Sequence, residues 1–356
     1  MSASAAGPIK PPPDPAAWYL DFPRYLHRDP AGAPLRSLFP QTDSVREAIE
    51  RHRHLLTRAL INPPMEQAIA QAIGRFTRDR LNVPDRPKTP ADAVVADRLN
   101  ACGWADLLPW SRAEAAALRE ALTPLPLYAK DGAARSGPLS FEEARAFNVA
   151  DYAHADLLAL PAVRRFVCEP VALAAAERFL EGPPLLITLA AWWSFPEHEA
   201  RDAQLFHLDI DDHRFVKHFL YLTDVDEESG PHAYVEGTHR PEDYGAMIAA
   251  AGGPAEQKEV FDWLFRTLRK SDAEVVRRTG KQPTLITGAA GARFLAATRG
   301  LHKGVPPTKR PRLLLQATYG VTPAGAAKTG GLPRTAEAAL SAADRHLLWL
   351  FLERGR

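Results

Sequence analysis

The chain is short of several things, and each shortage excludes something. Two cysteines, Cys102 and Cys168, occur in 356 residues. A secreted scaffold held by disulfides needs more, so a reduced, cytoplasmic setting is expected. Charge of one sign is also missing. Lys and Arg total 44 and Asp and Glu 43, a formal net charge of +1. No overall field therefore draws the chain to nucleic acid or to a membrane surface. No run approaches the roughly 18 apolar residues of a bilayer span. The opening MSASAAGPIKPPPDP has no apolar core of signal-peptide length. Gly288, Gly291 and Gly300 fit neither a P-loop nor a dinucleotide fingerprint and read as turn glycines. A G-x-S-x-G hydrolase elbow is absent. What remains reads as a soluble, cytoplasmic protein.

Proline is plentiful at 32 residues, and hydrophobic residues make up 46% against 24% charged, an ordinary globular balance. Residues 1–40 hold Pro11, Pro12, Pro13, Pro15, Pro23, Pro30 and Pro34. Proline fixes φ and removes a donor, so this stretch reads as an extended arm. Its aromatics Trp18, Tyr19, Phe22 and Tyr25 are expected to lie on the body of the protein. Ser44 and Glu47 form a capping box that opens a helix, and a second helix follows at about 65–81. Ser111 with Glu114 and Ser140 with Glu143 open two more. Pro161 and Pro170 bracket further helical stretches.

The texture changes at Leu185. LLITLAAWWSF and residues 215–225 are strand candidates, HAYVEG follows a Gly230-Pro231 turn, and strands return at 284–287, 292–298 and 312–321. Residues 241–283 revert to helical spacing, and a helix is expected at about 335–353. The fold class is α+β: residues 1–90 as an arm and helical extension, then a domain over 91–356 with a β-rich core at about 185–321.

One constellation carries chemistry. In Phe206-His207-Leu208-Asp209, strand geometry points residues two apart the same way, so His207 and Asp209 present an imidazole and a carboxylate to one point. His302, after a long interval, offers a second imidazole. Two histidines and a carboxylate on one face of an octahedron suit non-haem Fe(II) and leave three positions open. Arg312 opens the strand LLLQATY, where a guanidinium can clamp the distal carboxylate of 2-oxoglutarate with two parallel hydrogen bonds. The 2-oxo acid end would chelate iron, leaving one position for O2. A second H-x-D, His154-Ala-Asp156, lies in helical sequence, where positions two apart do not face each other. It reads as structural.

HLDIDDHRFVKHFLYLTDVDEESGPHAYVEGTHR followed by ATRGLHKGVPPTKRPRLLLQATY resembles the phytanoyl-CoA dioxygenase family of Fe(II)/2-oxoglutarate oxygenases. The likeness is tightest over about 185–321 and looser back to about 95, where GWADLLPWSRAEAAALREAL looks like the family's N-terminal helix. It implies a double-stranded β-helix (jelly-roll) core and a dioxygenase that hydroxylates an aliphatic C–H bond with release of succinate and CO2. It also implies co-substrate binding by Arg312. Asp209 favours hydroxylation over halogenation, because halogenating relatives lack the carboxylate. Segment 241–283 is expected to form a lid or wall over the substrate.

Other residues carry two readings. His239 is a rival third ligand or a group supporting the site. His213, His218, Asp211 and Asp212 read as loop and strand residues, and His52 and His54 as surface. Lys217 and Phe219 alternate on one strand face. Lys217 then pairs either with a substrate or co-substrate carboxylate or with an acid inside the barrel. Phe219 would wall the 2-oxoglutarate site, and Thr298 is expected to point inward. Trp192 and Trp193 lie on opposite faces of one strand. The competing functions are a jelly-roll binding protein with a structural metal, and a metal-dependent isomerase or hydrolase that needs no Arg312.

Overall fold

The structure is a computed structural model and describes residues 14–131, 134–323, 332 and 340–352. Where it is described, the proline-rich arm is largely helical, with an α-helix over Pro15–Arg28 and a 3-10 helix over Pro30–Leu35. Helix α1 (Pro15–Arg28) starts on an Asp14 cap with Pro15 at its first position, and it carries Pro23 inside it. Proline at the first turn costs nothing, because that N–H has no helical partner. Trp18, Tyr19, Phe22, Tyr25 and Leu26 then fall on one buried face. A count of prolines hides that helical period. Helices α2 (Val45–Ala59) and α3 (Pro63–Leu81) follow, capped by Ser44 and Asn62. Helix α4 (Pro90–Cys102) has a Thr89–Asp92 capping box.

Strand β1 (Trp104–Leu107) comes next, then α5 (Arg112–Leu122), whose Ser111–Glu114 box is formed. Strands β2 (Leu127–Asp131) and β3 (Ala134–Arg135), the single-turn α6 (Phe141–Ala144) and β4 (Val149–Tyr152) lead to α7 (His154–Ala159), α8 (Pro161–Val167) and α9 (Pro170–Leu180). The front half is thus less purely helical than its caps imply, because β1 to β4 are short and joined to a sheet completed much later in the chain.

The long strands are β5 (Leu185–Ser194), β6 (Phe215–Tyr221) and β11 (Arg312–Gly320). Between them lie β7 (His232–Tyr234), α10 (Pro241–Ala249), α11 (Pro254–Phe265), α12 (Asp272–Thr279), β8 (Thr284–Ile286), β9 (Arg293–Ala296) and β10 (His302–Gly304). An antiparallel sheet of eight strands runs β1-β9-β6-β11-β5-β4-β2-β3, and one of three runs β10-β7-β8. Of the C-terminal helix, Ala342–Leu347 and a 3-10 turn at Trp349–Phe351 are seen, while positions 333–339 and 353 lie outside the described residues.

Register decides what each face does. Arg312 pairs with Ser194, Leu314 with Trp192 and Tyr221, and Gln316 with Ala190 and Phe219. Strand alternation puts this set on one face and Leu313, Leu315, Ala317 and Trp193 on the other. The second face packs on the helices in the main core. The first turns toward the small sheet, where Phe219, Tyr221, Phe294 and Leu314 meet Tyr234 and Ile286. The inserted helices cover the outer side of the small sheet through Tyr244, Trp263, Leu264 and Val275. They form a back wall, and Leu268 and Arg269 of this segment reach the cavity. Among the described residues, no helix is long and apolar enough to cross a membrane.

Candidate functional site

A cavity of about 930 Å³ opens between the two sheets. Its floor is the alternating face of the large sheet: Ala190, Trp192, Ser194, Lys217, Phe219, Arg312, Leu314 and Gln316. Trp192 takes the cavity side, while Trp193 packs with the helices and donates to the Tyr152 hydroxyl at 3.1 Å. His207, Asp209, His232 and His302 line the same space.

His207 and His302 are brought opposite each other by a two-way backbone pair, 3.0 Å and 3.1 Å, and Asp209 N–H donates to the Thr298 carbonyl at 3.0 Å. His207 sits in an isolated β-bridge to His302, not in a regular strand. The expected same-side geometry arises because these backbone bonds keep 207–209 extended. Each imidazole is oriented in the same way. His207 Nδ1 lies 2.9 Å from the Leu205 carbonyl, and His302 Nδ1 lies 2.9 Å from the Gly300 carbonyl. A carbonyl only accepts, so Nδ1 carries the proton and Nε2 faces the cavity. The Nε2 atoms sit 3.4 Å and 3.2 Å from the two oxygens of Asp209.

These three ligand atoms lie within 4.8 Å of one another. Burial first, then His207 and Lys217, push the His302 imidazole down toward its neutral form against the pull of Asp209. Two imidazoles and a carboxylate thus converge on one point of the cavity. That donor set fits a divalent cation, and for non-haem iron it is the facial arrangement. Among the described residues, no second group of three such ligands comes this close.

Lys217 Nζ lies 2.6 Å from Asp209 and 3.2 Å from Asp211. The structure thus pairs it with acids inside the protein, while it also lines the cavity. Burial alone would raise the Asp209 carboxyl. The Lys217 ammonium, with His302 behind it, outweighs that and holds the group well below the ordinary carboxylate range. Phe219 forms cavity wall and stacks on Phe294, ring centres 4.8 Å apart.

Arg312 is a buried charge without balance. It donates to the Gly230 carbonyl and, at 3.3 Å, to Ser194 Oγ, while its Nε has no partner. No carboxylate pairs with it among the described residues, and burial depresses its pKa. A buried guanidinium without a counter-charge is costly, and an anion entering the cavity would relieve it. Gly304 faces it, where a Cβ would come within 3.3 Å of Nη2.

Other candidates fall elsewhere. Thr298 is buried with an unpartnered hydroxyl and does not line the cavity; its carbonyl is what the site uses. His239 contacts the Asn100 carbonyl at 3.2 Å and lines a separate cavity with Arg214 and Arg299. His52 is buried, not superficial: its Nδ1 lies 3.3 Å from His213 Nε2, in a cage of Trp18, Tyr19, Phe22 and Phe39. Asp212 is buried and accepts from Val321 N, Thr322 N and Thr322 Oγ1. His218 stacks on Phe166, ring centres 4.0 Å apart. His154 and Asp156 sit in the first turn of α7.

Sequence reasoning does not single out His232, whose ring stacks on His302 at 5.3 Å and whose buried Nε2 has no partner. It also passes over Ser194 and Gln316. Once Arg312 is placed inward, alternation points to Gln316. Ser194 needs the β5–β11 register.

No family model matches the sequence, and no curated protein matches it. Among solved structures the chain is similar to the non-haem α-ketoglutarate-dependent epimerase SnoN from nogalamycin biosynthesis, at 20% identity and a TM-score of 0.42, over 64% of this chain and 82% of that one. It is similar to HygX from Streptomyces hygroscopicus with nickel, 2-oxoglutarate and hygromycin B bound, at 17% and 0.41, over 65% and 87%. A third is EvdO2 from Micromonospora carbonacea var. aurantiaca complexed with 2-oxoglutarate, at 16% and 0.42, over 67% and 92%.

Proposed function

We propose that this chain is a mononuclear non-haem Fe(II) enzyme that uses 2-oxoglutarate and O2 to oxidise a small molecule, with hydroxylation of an aliphatic C–H bond as the reaction. One observation carries the reading: a cluster of three cation-seeking ligand atoms shares a cavity with a buried arginine that lacks a counter-charge. The two charges call for complementary guests, a divalent metal and a carboxylate, and 2-oxoglutarate joins them in one molecule. The facing sheets fit a double-stranded β-helix, in which residues 91–356 are the oxygenase domain and 1–90 an N-terminal extension whose described helices pack on it.

His207, Asp209 and His302 would hold the iron. When bound, iron with 2-oxoglutarate and O2 supplies the oxidising chemistry, giving succinate and CO2. The protein's own residues do the rest. Leu205 and Gly300 carbonyls fix the imidazole tautomers. Lys217 keeps Asp209 ionised and occupies one of its oxygens. Arg312 and Ser194 receive the distal carboxylate, and Phe219, Trp192 and Leu314 exclude water around it.

The test is anaerobic Fe(II) and 2-oxoglutarate titration followed by succinate release on adding air. Stoichiometric binding of both and succinate formation are expected. Tight metal binding with no 2-oxoglutarate affinity would instead make this a metal-dependent binding protein or isomerase.

A further inference from the structure

The segments that carry the metal ligands are joined from behind by one carboxylate of the N-terminal extension. Glu66 lies on the buried face of α3 and is 5% exposed. Arg214 reaches it with a two-pronged contact, Nε to Oε1 at 2.8 Å and Nη2 to Oε2 at 2.9 Å. Arg299 Nη1 reaches Oε1 at 3.2 Å. Arg214 belongs to the loop that leaves Asp209, and Arg299 to the turn that enters His302. Arg299 also donates to the His213 carbonyl, so the two segments are tied directly as well. Arg214 is further held by the Phe179 carbonyl at 3.0 Å and Glu181 at 2.9 Å.

The ligand atoms come from segments far apart in sequence, and ties at front and back hold their spacing. The β-bridge at 207–302 and the Asp209–Thr298 bond are the front tie. Glu66 is the only acid with ion-pair contacts to both Arg214 and Arg299 among the described residues. A planar guanidinium fork on a carboxylate fixes orientation as well as distance. We infer that Glu66 is a positioning residue for the metal centre: from an extension outside the β-rich core, it sets the separation between the His207–Asp209 segment and the His302 segment. This rests on the reading of the triad as a metal site. A Glu66 that merely docked α3 onto the core would affect stability and leave the metal untouched.

The experiment uses the full chain, made metal-free, and titrates Co(II) while recording its visible bands and thermal unfolding. Wild type is compared with Glu66→Gln and with Asp29→Asn. The latter breaks the 3.1 Å Arg75–Asp29 pair, which lies within the extension and away from both ligand segments. Glu66→Gln should weaken Co(II) binding about 10-fold or more and shift the bands, in the range seen when outer groups that orient ligands are lost. Asp29→Asn should lower Tm and leave Co(II) affinity and bands unchanged. Wild-type Co(II) affinity in Glu66→Gln overturns the inference, as does equal weakening by Asp29→Asn. If Glu66→Gln does not fold, Arg299→Lys carries the test. It keeps the charge but not the reach to both Glu66 and the His213 carbonyl, and wild-type affinity there overturns the inference too. Failure of the wild type itself to bind Co(II) removes the metal site, and the clamp with it.

Discussion

Two segments of this chain spell the same motif, His154-Ala-Asp156 and His207-Leu-Asp209, and they do opposite things. In α7 the two side chains point about 200° apart around the helix axis. At 207–209 the backbone is extended and pinned at both ends, so the same spacing brings imidazole and carboxylate to 3.4 Å. A motif of this kind has meaning only with its backbone conformation. It also has meaning only with its neighbours: the second segment has a facing imidazole, a lysine on its carboxylate and an unbalanced arginine in the same cavity.

The sharpest way to break the contrast is to remove each aspartate. Asp209→Ala should reduce metal binding below detection by calorimetry and abolish succinate formation. Asp156→Ala should leave both intact and cost no more than about 1 kcal/mol, the worth of an acid in a helix's first turn. Comparable metal loss in both would end the distinction.

Next in size is the support behind the second segment. Glu66→Gln leaves two arginines without their shared partner and should cost about 3 kcal/mol of stability by denaturant unfolding. The pH dependence has a definite sign. Burial would raise the Glu66 carboxyl, but the Arg214 and Arg299 contacts outweigh it and hold it below its ordinary 4.5. In acid the folded state then binds fewer protons than the unfolded one. This stabilisation is therefore present above 4.5 and is lost as pH falls below that value toward the folded one. The stability gap between wild type and Glu66→Gln should close on acidification, and a gap that is constant with pH would argue against the assignment.

Arg312→Ala probes the cavity's unbalanced charge. It removes the charge-assisted contacts to a carboxylate and should weaken 2-oxoglutarate about 10- to 100-fold, with metal affinity retained. Lys217→Ala has the smallest expected effect. Burial then opposes ionisation of Asp209 with less to offset it, so the acid limb of metal binding should move to higher pH in a pH-resolved titration.

Much of the site is legible in the sequence. H-x-D followed by a distant histidine and then an arginine opening a strand is a chemical pattern, and the ligand atoms of His207, Asp209 and His302 do come together. The inserted helices and the long strands are legible as well, because hydrophobic period and capping residues are local. The arm misleads because its prolines argue against a helix, although Asp14-Pro15 is a helix start and Trp18, Phe22 and Tyr25 keep helical spacing. Strands β1, β2 and β4, each four or five residues long, escape the sequence reading. β1 and β4 pair with β9 and β5, which lie at a distance that no local pattern encodes. Glu66 leaves one mark, an acid among Ile69, Ala70, Ile73 and Phe76 on the buried face of α3.

Which atoms are available to a metal, and which strand faces carry them, follows from the residue order, because side-chain chemistry and strand alternation are properties of a few neighbouring residues. How the charges balance does not follow from it, and tertiary packing settles the matter. Packing assigns Lys217 to Asp209 and Asp211, assigns Arg214 and Arg299 to Glu66, and leaves Arg312 with a carbonyl and a hydroxyl. Pairing depends on which buried charges meet after distant segments pack. The buried Arg312 cation, left in the cavity without an acid, is the feature on which the proposed carboxylate site rests.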